Sequence, residues 1–321
     1  MKETSASQTL GGKSESVPDL SISIVNWNTR DLLDDCLKSA KKSCAEIDHE
    51  IIVVDNSSSD GSADMVADKY PDVDLVRSRI NLGFATANNV AFKHSRGRYF
   101  LLLNSDTIVL DDALPAMVSF MDDHPDAGAA GCKLLNQDGS LQRSCSPFPS
   151  LMTELFDALY LSKLFPKSRV FGSYAMSYWG FNETREVDFA GGSCLILRRD
   201  AVKEVGLMDE SFFMYTEEAD WCCRLKQKGW KVYFYPGAQI VHLGGESSKQ
   251  YGSDIGLMLY SSRNQFLRKH RGRAYAAAHR GIVGLGALVR LPAGIAKEIS
   301  GSGSREFVRF QSKVLRWSVL G

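Results

Sequence analysis

Several absences narrow the reading of this 321-residue chain before any motif does. No apolar run reaches the roughly 18 clean residues that a spanning helix needs. The nearest approach, around Ile282 to Ile295, is interrupted by Arg290 and Pro292. The seven cysteines (Cys36, Cys44, Cys132, Cys145, Cys194, Cys222, Cys223) form neither a CxxC pair nor a zinc spacing, and an odd number with two adjacent members makes no disulfide framework. Met1 to Pro18 is rich in Ser, Thr, Lys and Glu and has no apolar core, so residues 1–18 are expected to be a disordered tail and not a secretory leader. A reduced, cytoplasmic protein is expected. There is no internal repeat and no net charge, and no nucleic-acid partner is expected.

That zero conceals an asymmetry. From Arg263 onward the chain carries 12 Lys and Arg against 2 Asp and Glu, whereas the first 262 residues carry 26 against 36. An acidic body is thus followed by a basic tail, which points to an anionic surface as the tail's partner.

What is present is a periodic α/β pattern. Leu20–Asn28 reads as a strand ending in polar residues, 30–44 as a helix with Leu32, Leu33, Cys36, Leu37 and Ala40 on one face, and Glu50–Val54 as a second strand. A helix over 63–69, a strand over 73–76, a helix carrying Ala87, Asn88 and Asn89, and a strand at 99–103 follow. This alternation predicts a doubly wound, mostly parallel sheet. Beyond it the reading is coarser: a helix over 113–123, a mixed stretch over 132–185, a strand within Val187–Leu197 broken by Gly191-Gly192, two short strands near 231–235 and 239–242, and helix from Asp254.

The chemistry gathers at strand ends. The run Tyr99-Phe100-Leu101-Leu102-Leu103 stops abruptly at Asn104-Ser105-Asp106. In open α/β sheets ligands bind just beyond such ends, and a carboxylate there can hold a divalent cation that in turn holds a diphosphate. Asp55 ends the second strand and opens a turn of Asn56, Ser57, Ser58 and Ser59. A carboxylate is the natural acceptor for the imide N–H of a uracil- or thymine-type base; an Asx turn is the plainer alternative. Glu217, Glu218 and Asp220 fall within four residues after the run Phe212-Phe213-Met214-Tyr215, at the start of a helix. Acidic residues suit that position for dipole reasons alone, but a general base also has to be a carboxylate beside a cleft. His242 ends a strand ahead of Gly244-Gly245.

Taken in order, Val54-Asp55-Asn56-Ser57, Asn81-Leu82-Gly83-Phe84-Ala85, Asn104-Ser105-Asp106, Gly191-Gly192-Ser193, Asp209-Glu210-Ser211-Phe212-Phe213 and Glu217-Glu218-Ala219-Asp220 resemble the family 2 glycosyltransferases, in particular their rhamnosyltransferase-like branch. The resemblance covers about 20–270. It implies a GT-A fold, a nucleotide diphosphate sugar donor (dTDP-L-rhamnose in first place, a UDP-sugar as the alternative), a divalent metal (Mg2+ or Mn2+) and inversion at the anomeric carbon. It implies a saccharide or lipid-linked glycan acceptor in cell-surface polysaccharide synthesis. It assigns Asp55, with Asn56, Ser57, Asn81, Gly83 and Asn104, to the donor; Asp106 and His242 to metal and diphosphate; Glu218, or its neighbour Glu217, to the base. Gly191, Gly192, Phe213 and Asp220 fall to the acceptor. Two departures stand out: the metal motif is Asn-Ser-Asp where Asp-x-Asp is usual, and the base motif is Glu-Glu where many relatives have Glu-Asp. Residues 19–130 are then the nucleotide-sugar half, 131–253 the acceptor and catalytic half, and 254–321 a basic helical extension.

Two phosphate-loop look-alikes fail on context. Gly11-Gly12-Lys13-Ser14 has Ser7 where a P-loop needs glycine and no strand before it, and Gly281-x-x-Gly284-x-Gly286 follows a helical segment. A sugar-1-phosphate nucleotidyltransferase would need a Gly-rich loop after the first strand, where Asn26-Trp27-Asn28-Thr29-Arg30 offers no glycine. A non-catalytic carbohydrate-binding module on the same fold is opposed by the intact Asp55, Asp106 and Glu218. For the tail, Arg268, Lys269, Arg271, Arg273 and Arg280 followed by Ile282, Val283, Leu285, Leu288, Val289, Leu291 and Ile295 suit a helix lying in a membrane interface. A helical hairpin packed on the domain, or a homodimer contact, is the alternative.

Overall fold

A strand that is apolar on both faces has to lie inside a sheet covered on both sides. The computed structural model, which describes residues 17–246, 250, 252, 254–300 and 305–320, places β4 (Tyr99–Leu103) there, every residue buried. Its neighbours are β1 (Leu20–Asn26), parallel to it, and β11 (Cys194–Arg198), antiparallel. With β2 (His49–Asp55), β3 (Asp74–Arg77), β5 (Thr107–Val109), β6 (Ala127–Leu135) and β12 (Lys231–His242) they form a mixed sheet of order β3-β2-β1-β4-β11-β6-β12-β5. Short strands β7 (Leu141–Gln142) and β9 (Arg185–Glu186) pair at its margins, and β8 (Cys145–Ser146) pairs with β10 (Phe189–Ala190).

Alternate residues of β4 serve opposite cores. Leu101 and Leu103 join Ile22, Ile24 and Val53 on one side. There they meet α1 (Arg30–Ser43), α2 (Ser62–Lys69) and α4 (Ala113–Asp123). Phe100 and Leu102 join Ile52 and Val54 on the other, with α3 (Gly83–His94), α7 (Arg199–Val205) and α8 (Glu217–Gln227). The parallel block β3-β2-β1-β4 reverses direction of winding beside β1, so a crevice opens beyond the carboxyl ends of β1 and β4.

The expected elements of the first half are found within a residue or two. The strand expected in Val187–Leu197 is broken at Gly191-Gly192 as read, into β10 and β11. The second half differs in two places. The two short strands expected at 231–235 and 239–242 are the single strand β12, whose register against β6 slips between Tyr235 and Gln239, at Pro236-Gly237. The mixed stretch contains α5 (Leu151–Ala158), held by a Ser150–Thr153 capping box, and the single turn α6 (Leu161–Leu164).

The extension forms α9 (Asp254–Arg271), α10 (Arg273–Ile299) and α11 (Arg305–Leu320). One face of α10 packs on the domain: a Cβ on Gly286 would stand 3.1 Å from the Cβ of Ala158 in α5, and Arg290 donates to the carbonyl and carboxylate of Asp157. Of the glycines that mimic a dinucleotide fingerprint, Gly284 and Gly286 are thus places where helices cross closely, while Gly281 faces open space. Beneath them the buried Glu154 receives Arg263 Nη1 at 2.9 Å, and His279 Nε2 lies 3.8 Å from its other oxygen. Burial resists ionisation of Glu154, but His279 and Arg263 outweigh it and hold its carboxyl below the usual range. A second latch joins α8 to α9. Asp220, wholly buried, takes Arg224 Nε at 2.9 Å, Lys269 Nζ at 2.8 Å and His270 Nε2 at 2.8 Å.

Substituting Arg263→Met leaves the Glu154 carboxylate buried without its main counter-charge. A loss of about 3–5 kcal/mol is expected in denaturant unfolding; unchanged stability would show that this pair does not hold the extension. The Asp220 latch carries a pH signature. The Asp220 hydrogen bond, then that of Cys223, raises His270 from 6.5 to about 9. A value raised on folding gives stability that is complete below about pH 6.5 and is lost as pH rises through about 9. Asp220→Asn should therefore lower the melting temperature by several degrees at pH 6. The gap to the parent should narrow by pH 10 without closing, because the Arg224 contact with the Asp220 carboxylate is lost in the variant at every pH; a gap that widens with pH contradicts the assignment.

Candidate active site

The crevice beyond β1 and β4 is a cleft of about 360 Å³. Asn56, Asn81, Gly83, Asn104, Asp106, Gly191, Gly192, Phe213, Glu217, Glu218 and His242 all line it, so residues spread over 187 positions converge on one space.

Asp106 sits just past β4, where the backbone leaves the sheet. Asn104 N–H donates to the Ser193 carbonyl at 3.0 Å, and Leu243 N–H donates to the Asp106 carbonyl at 3.0 Å, which brings the end of β12 alongside. His242 Nε2 consequently lies 3.2 Å from Asp106 Oδ1. Glu246 N–H occupies the other oxygen at 3.1 Å. Burial opposes ionisation of Asp106, but contact with His242 and the Glu246 amide more than offset it, and its carboxyl is held below the ordinary range. Gln142 Oε1, which can only accept, lies 2.5 Å from His242 Nδ1 and fixes the proton there. Nε2 then either donates a proton to Asp106 or lends a lone pair to a cation shared with it.

Among the described residues no three of His, Cys, Asp and Glu converge on one point. A carboxylate and an oriented imidazole, with the second imidazole nitrogen already engaged, nevertheless suit a cation that takes its remaining ligands from phosphate oxygens and water.

The opposite wall is the start of α8. Tyr215 and Thr216 both adopt φ of 72°, an uncommon conformation for side-chain-bearing residues, just ahead of the paired glutamates. Glu217 is buried, its Oε2 has no hydrogen-bond partner, and burial followed by the charge of Glu218 pushes its carboxyl well up. Glu218 is less enclosed, and burial, opposed by the backbone N–H groups of the helix start, moves it to about 7. The pair therefore divides: burial and the neighbouring charge push Glu217 well up, while Glu218 is poised near 7 to give or take a proton.

Gly83 shows how tightly the walls are joined. Its φ is +77°, and a Cβ there would collide with the Phe213 carbonyl, to which Phe84 N–H donates at 2.8 Å. Asn56 supports the same turn, giving its amide to Asn81 Oδ1 at 2.8 Å and accepting Leu82 N–H at 2.7 Å. Three expected site residues do not line the cleft. Asp55 lies one residue behind it, accepting Ser58 N–H at 3.1 Å and Asn26 Nδ2 at 3.4 Å. Ser57 directs its hydroxyl to the Arg79 carbonyl. Asp220 faces away from the cleft into the α8–α9 latch, which supersedes its expected place at the acceptor. Conversely, Trp27, Phe84, Ser193 and Tyr215 line the cleft without having been singled out. Their hint in the sequence is that Phe84, Ser193 and Tyr215 stand within the motif stretches and Trp27 just past the end of β1.

The model of the family described as Glycosyl transferase family 2 matches residues 21–206. Over 203 residues the chain is 30% identical to the N-acetylglucosaminyl-diphospho-decaprenol L-rhamnosyltransferase of Mycobacterium tuberculosis. That match covers 60% of this chain and 66% of the relative, just under two thirds of its length. Identity to the rhamnosyltransferase WbbL of Escherichia coli is 22% over 237 residues, covering 71% and 85%. Among solved structures, mannosyltransferase PcManGT of Pyrobaculum calidifontis, in complex with GDP-Man and Mn2+, aligns with a TM-score of 0.57 at 15% identity over 95% of this chain and 87% of that one. This likeness speaks for the fold, which is GT-A: a mostly parallel central sheet between helices. With more than half of its length inside the family's model, the chain belongs to glycosyl transferase family 2.

Proposed function

We propose that this transferase moves L-rhamnose from dTDP-L-rhamnose to a saccharide or lipid-linked glycan acceptor, with inversion, in building a cell-surface polysaccharide. The observation that carries the reading is that an Asp106–His242 pair and a carboxylate tuned to about 7 line one cleft. The names of the Mycobacterium tuberculosis and Escherichia coli relatives support rhamnose, and the former supports an acceptor borne on a diphospho-lipid.

In this reading the nucleotide lies over the ends of β1 and β2, where Asp55 retains lone pairs for a base imide and Asn56, Asn81 and Gly83 shape the turn beneath it. Asn104 supports the diphosphate beside Asp106. A divalent cation, Mg2+ or Mn2+, held by Asp106 and His242 supplies neutralisation of the charge that builds on the leaving diphosphate. Gly191 and Gly192 bring backbone close to the sugar, and Phe213 offers an apolar face to the acceptor. The acceptor hydroxyl attacks C1 from the side opposite the leaving group. Its proton passes to a Glu218 oxygen as the C1–O bond to the diphosphate breaks. Glu217, its carboxyl pushed well up by burial and by the Glu218 charge, leaves Glu218 to ionise as the base. The partly apolar wall of Phe213, Met214 and Tyr215 limits water, which would otherwise compete as acceptor.

Asp106→Asn should abolish transfer and remove Mn2+-dependent nucleotide binding while the melting temperature stays near that of the parent. Calorimetry giving equal metal-dependent nucleotide affinity would sink the assignment. A thermal-shift panel of dTDP- and UDP-sugars with Mg2+ or Mn2+ checks the donor, and stronger stabilisation by a UDP-sugar would replace rhamnose.

Glu218→Gln should cut turnover by about 10²–10⁴-fold with donor affinity almost unchanged. Because the base has to be ionised, parent activity should fall as pH drops through about 7. If Glu217→Gln is the inactive variant and Glu218→Gln is not, the roles are reversed.

A further inference from the structure

A helix on the surface of a protein in water normally turns its charged residues outward. α10 does the reverse. Every exposed position from Ala274 to Ala296 is Ala, Gly, Pro, Leu, Val or Ile, whereas the two arginines in that span, Arg280 and Arg290, turn toward neighbouring helices. Leu285, Leu288, Val289 and Ile295 are 44–52% exposed and Ile299 83%. The face is not scattered decoration: 10 of the 16 large hydrophobic residues exposed among the described residues lie in 151–170 or on α10. The first of these segments belongs to α5, on which α10 packs, and to the α6 turn that follows. Between Ala158 and Asn182 it carries Lys163, Lys167 and Arg169 and no acidic residue, with Leu164, Phe165 and Val170 exposed.

Charge identifies the occupant. Exposed Arg268, Arg271 and Arg273 stand at the start of the apolar face and Lys297 at its end, within a region where 12 basic residues oppose 2 acidic. A second copy seated on this face by two-fold symmetry would bring two such basic regions together, which is repulsive. An anionic lipid surface instead meets both properties: cationic rims for headgroups and a neutral apolar strip for the acyl boundary. The strip is about 40 Å long for 27 helical residues, and no described helix is long and apolar enough to cross a membrane. We propose that the outward face of α10, with the α5–α6 corner beside it, lies flat in the interface of an anionic phospholipid bilayer. This narrows the sequence expectation: Val283 is buried and Arg280 faces α11, so neither belongs to the contact, while Ile299 joins it.

The test is flotation of the full chain with vesicles of phosphatidylcholine alone or mixed with phosphatidylglycerol. The parent should float with the anionic vesicles and much less with the neutral ones. Leu285→Glu, Leu288→Glu and Ile295→Glu combined should reduce partitioning at least about 10-fold, with nucleotide-sugar binding and melting temperature unchanged. These positions are already exposed, so folding should survive; should the triple variant misfold, Arg271→Glu with Arg273→Glu serves in its place and should abolish the preference for anionic vesicles. A parent that stays soluble with both vesicles, or a folded variant that floats like the parent, overturns the proposal. So does a parent dimer in light scattering that the triple variant converts to monomer, which would assign the face to a second copy. Because nucleotide-sugar binding is read separately, failure of the docking is distinguishable from failure of the transferase reading.

Discussion

A strand buried on both faces must surrender its backbone to other partners where it leaves the sheet, and the end of β4 is where that constraint organises this molecule. Leu102 is the last residue with ladder neighbours on both sides, and Leu103 keeps only Cys194 of β11. Beyond it the Asn104 carbonyl accepts from Thr107 Oγ1 at 2.7 Å, the Asn104 amide finds Ser193, and the Asp106 carbonyl finds Leu243. Each of these bonds satisfies a group that would be costly to leave unpaired. Each also draws a distant segment to the cleft. The β10–β11 glycines and the end of β12 with His242 are positioned by the same requirement that ends the strand.

The facing wall works by a different physics. Two adjacent carboxylates at a helix start cannot both ionise cheaply when one is buried, so the more enclosed one is pushed well up and the other titrates at about 7. The helix N–H groups temper the shift of Glu218 and keep it from rising as far as that of Glu217. A motif of two like residues therefore yields two unlike groups, distinguished by burial, by the charge of the neighbour and by the helix N–H groups.

The legible parts of the chain were those where local pattern and tertiary role agree. β4 and β2 read directly because their apolar runs end in polar clusters, and Asp106 could be placed from that alone. β6 escaped notice because Ala127-Gly128-Ala129-Ala130-Gly131 has little strand propensity; its small residues are there because Ala190 and Trp230 crowd it, a contact no local pattern reveals. α5 was hidden in a proline-bearing stretch, and its buried Glu154 makes sense only once Arg263, 109 residues away, is beside it. Asp220 shows the opposite failure. Its place in an acidic cluster suggested chemistry, but partners from α9 recruit it to packing. Asp55 ended a strand and Ser57 lay in the turn after it as read, yet their oxygens bond to Asn26, Ser58 and Arg79, a use that spacing cannot distinguish from service to a ligand.

α9 has one more consequence. Its Ser262 hydroxyl donates to the Met214 carbonyl at 2.8 Å and its Lys269 reaches Asp209 at 2.7 Å, bracketing the segment that leads into Glu217 and Glu218. The same helix carries Arg263 to Glu154 beneath α10. Whatever force the extension bears is thus transmitted along a single rod to the loop that aims the catalytic wall. The extension behaves as a strut of fixed length and not as a tether, and the height of the cleft above anything the extension rests on is set by side-chain packing.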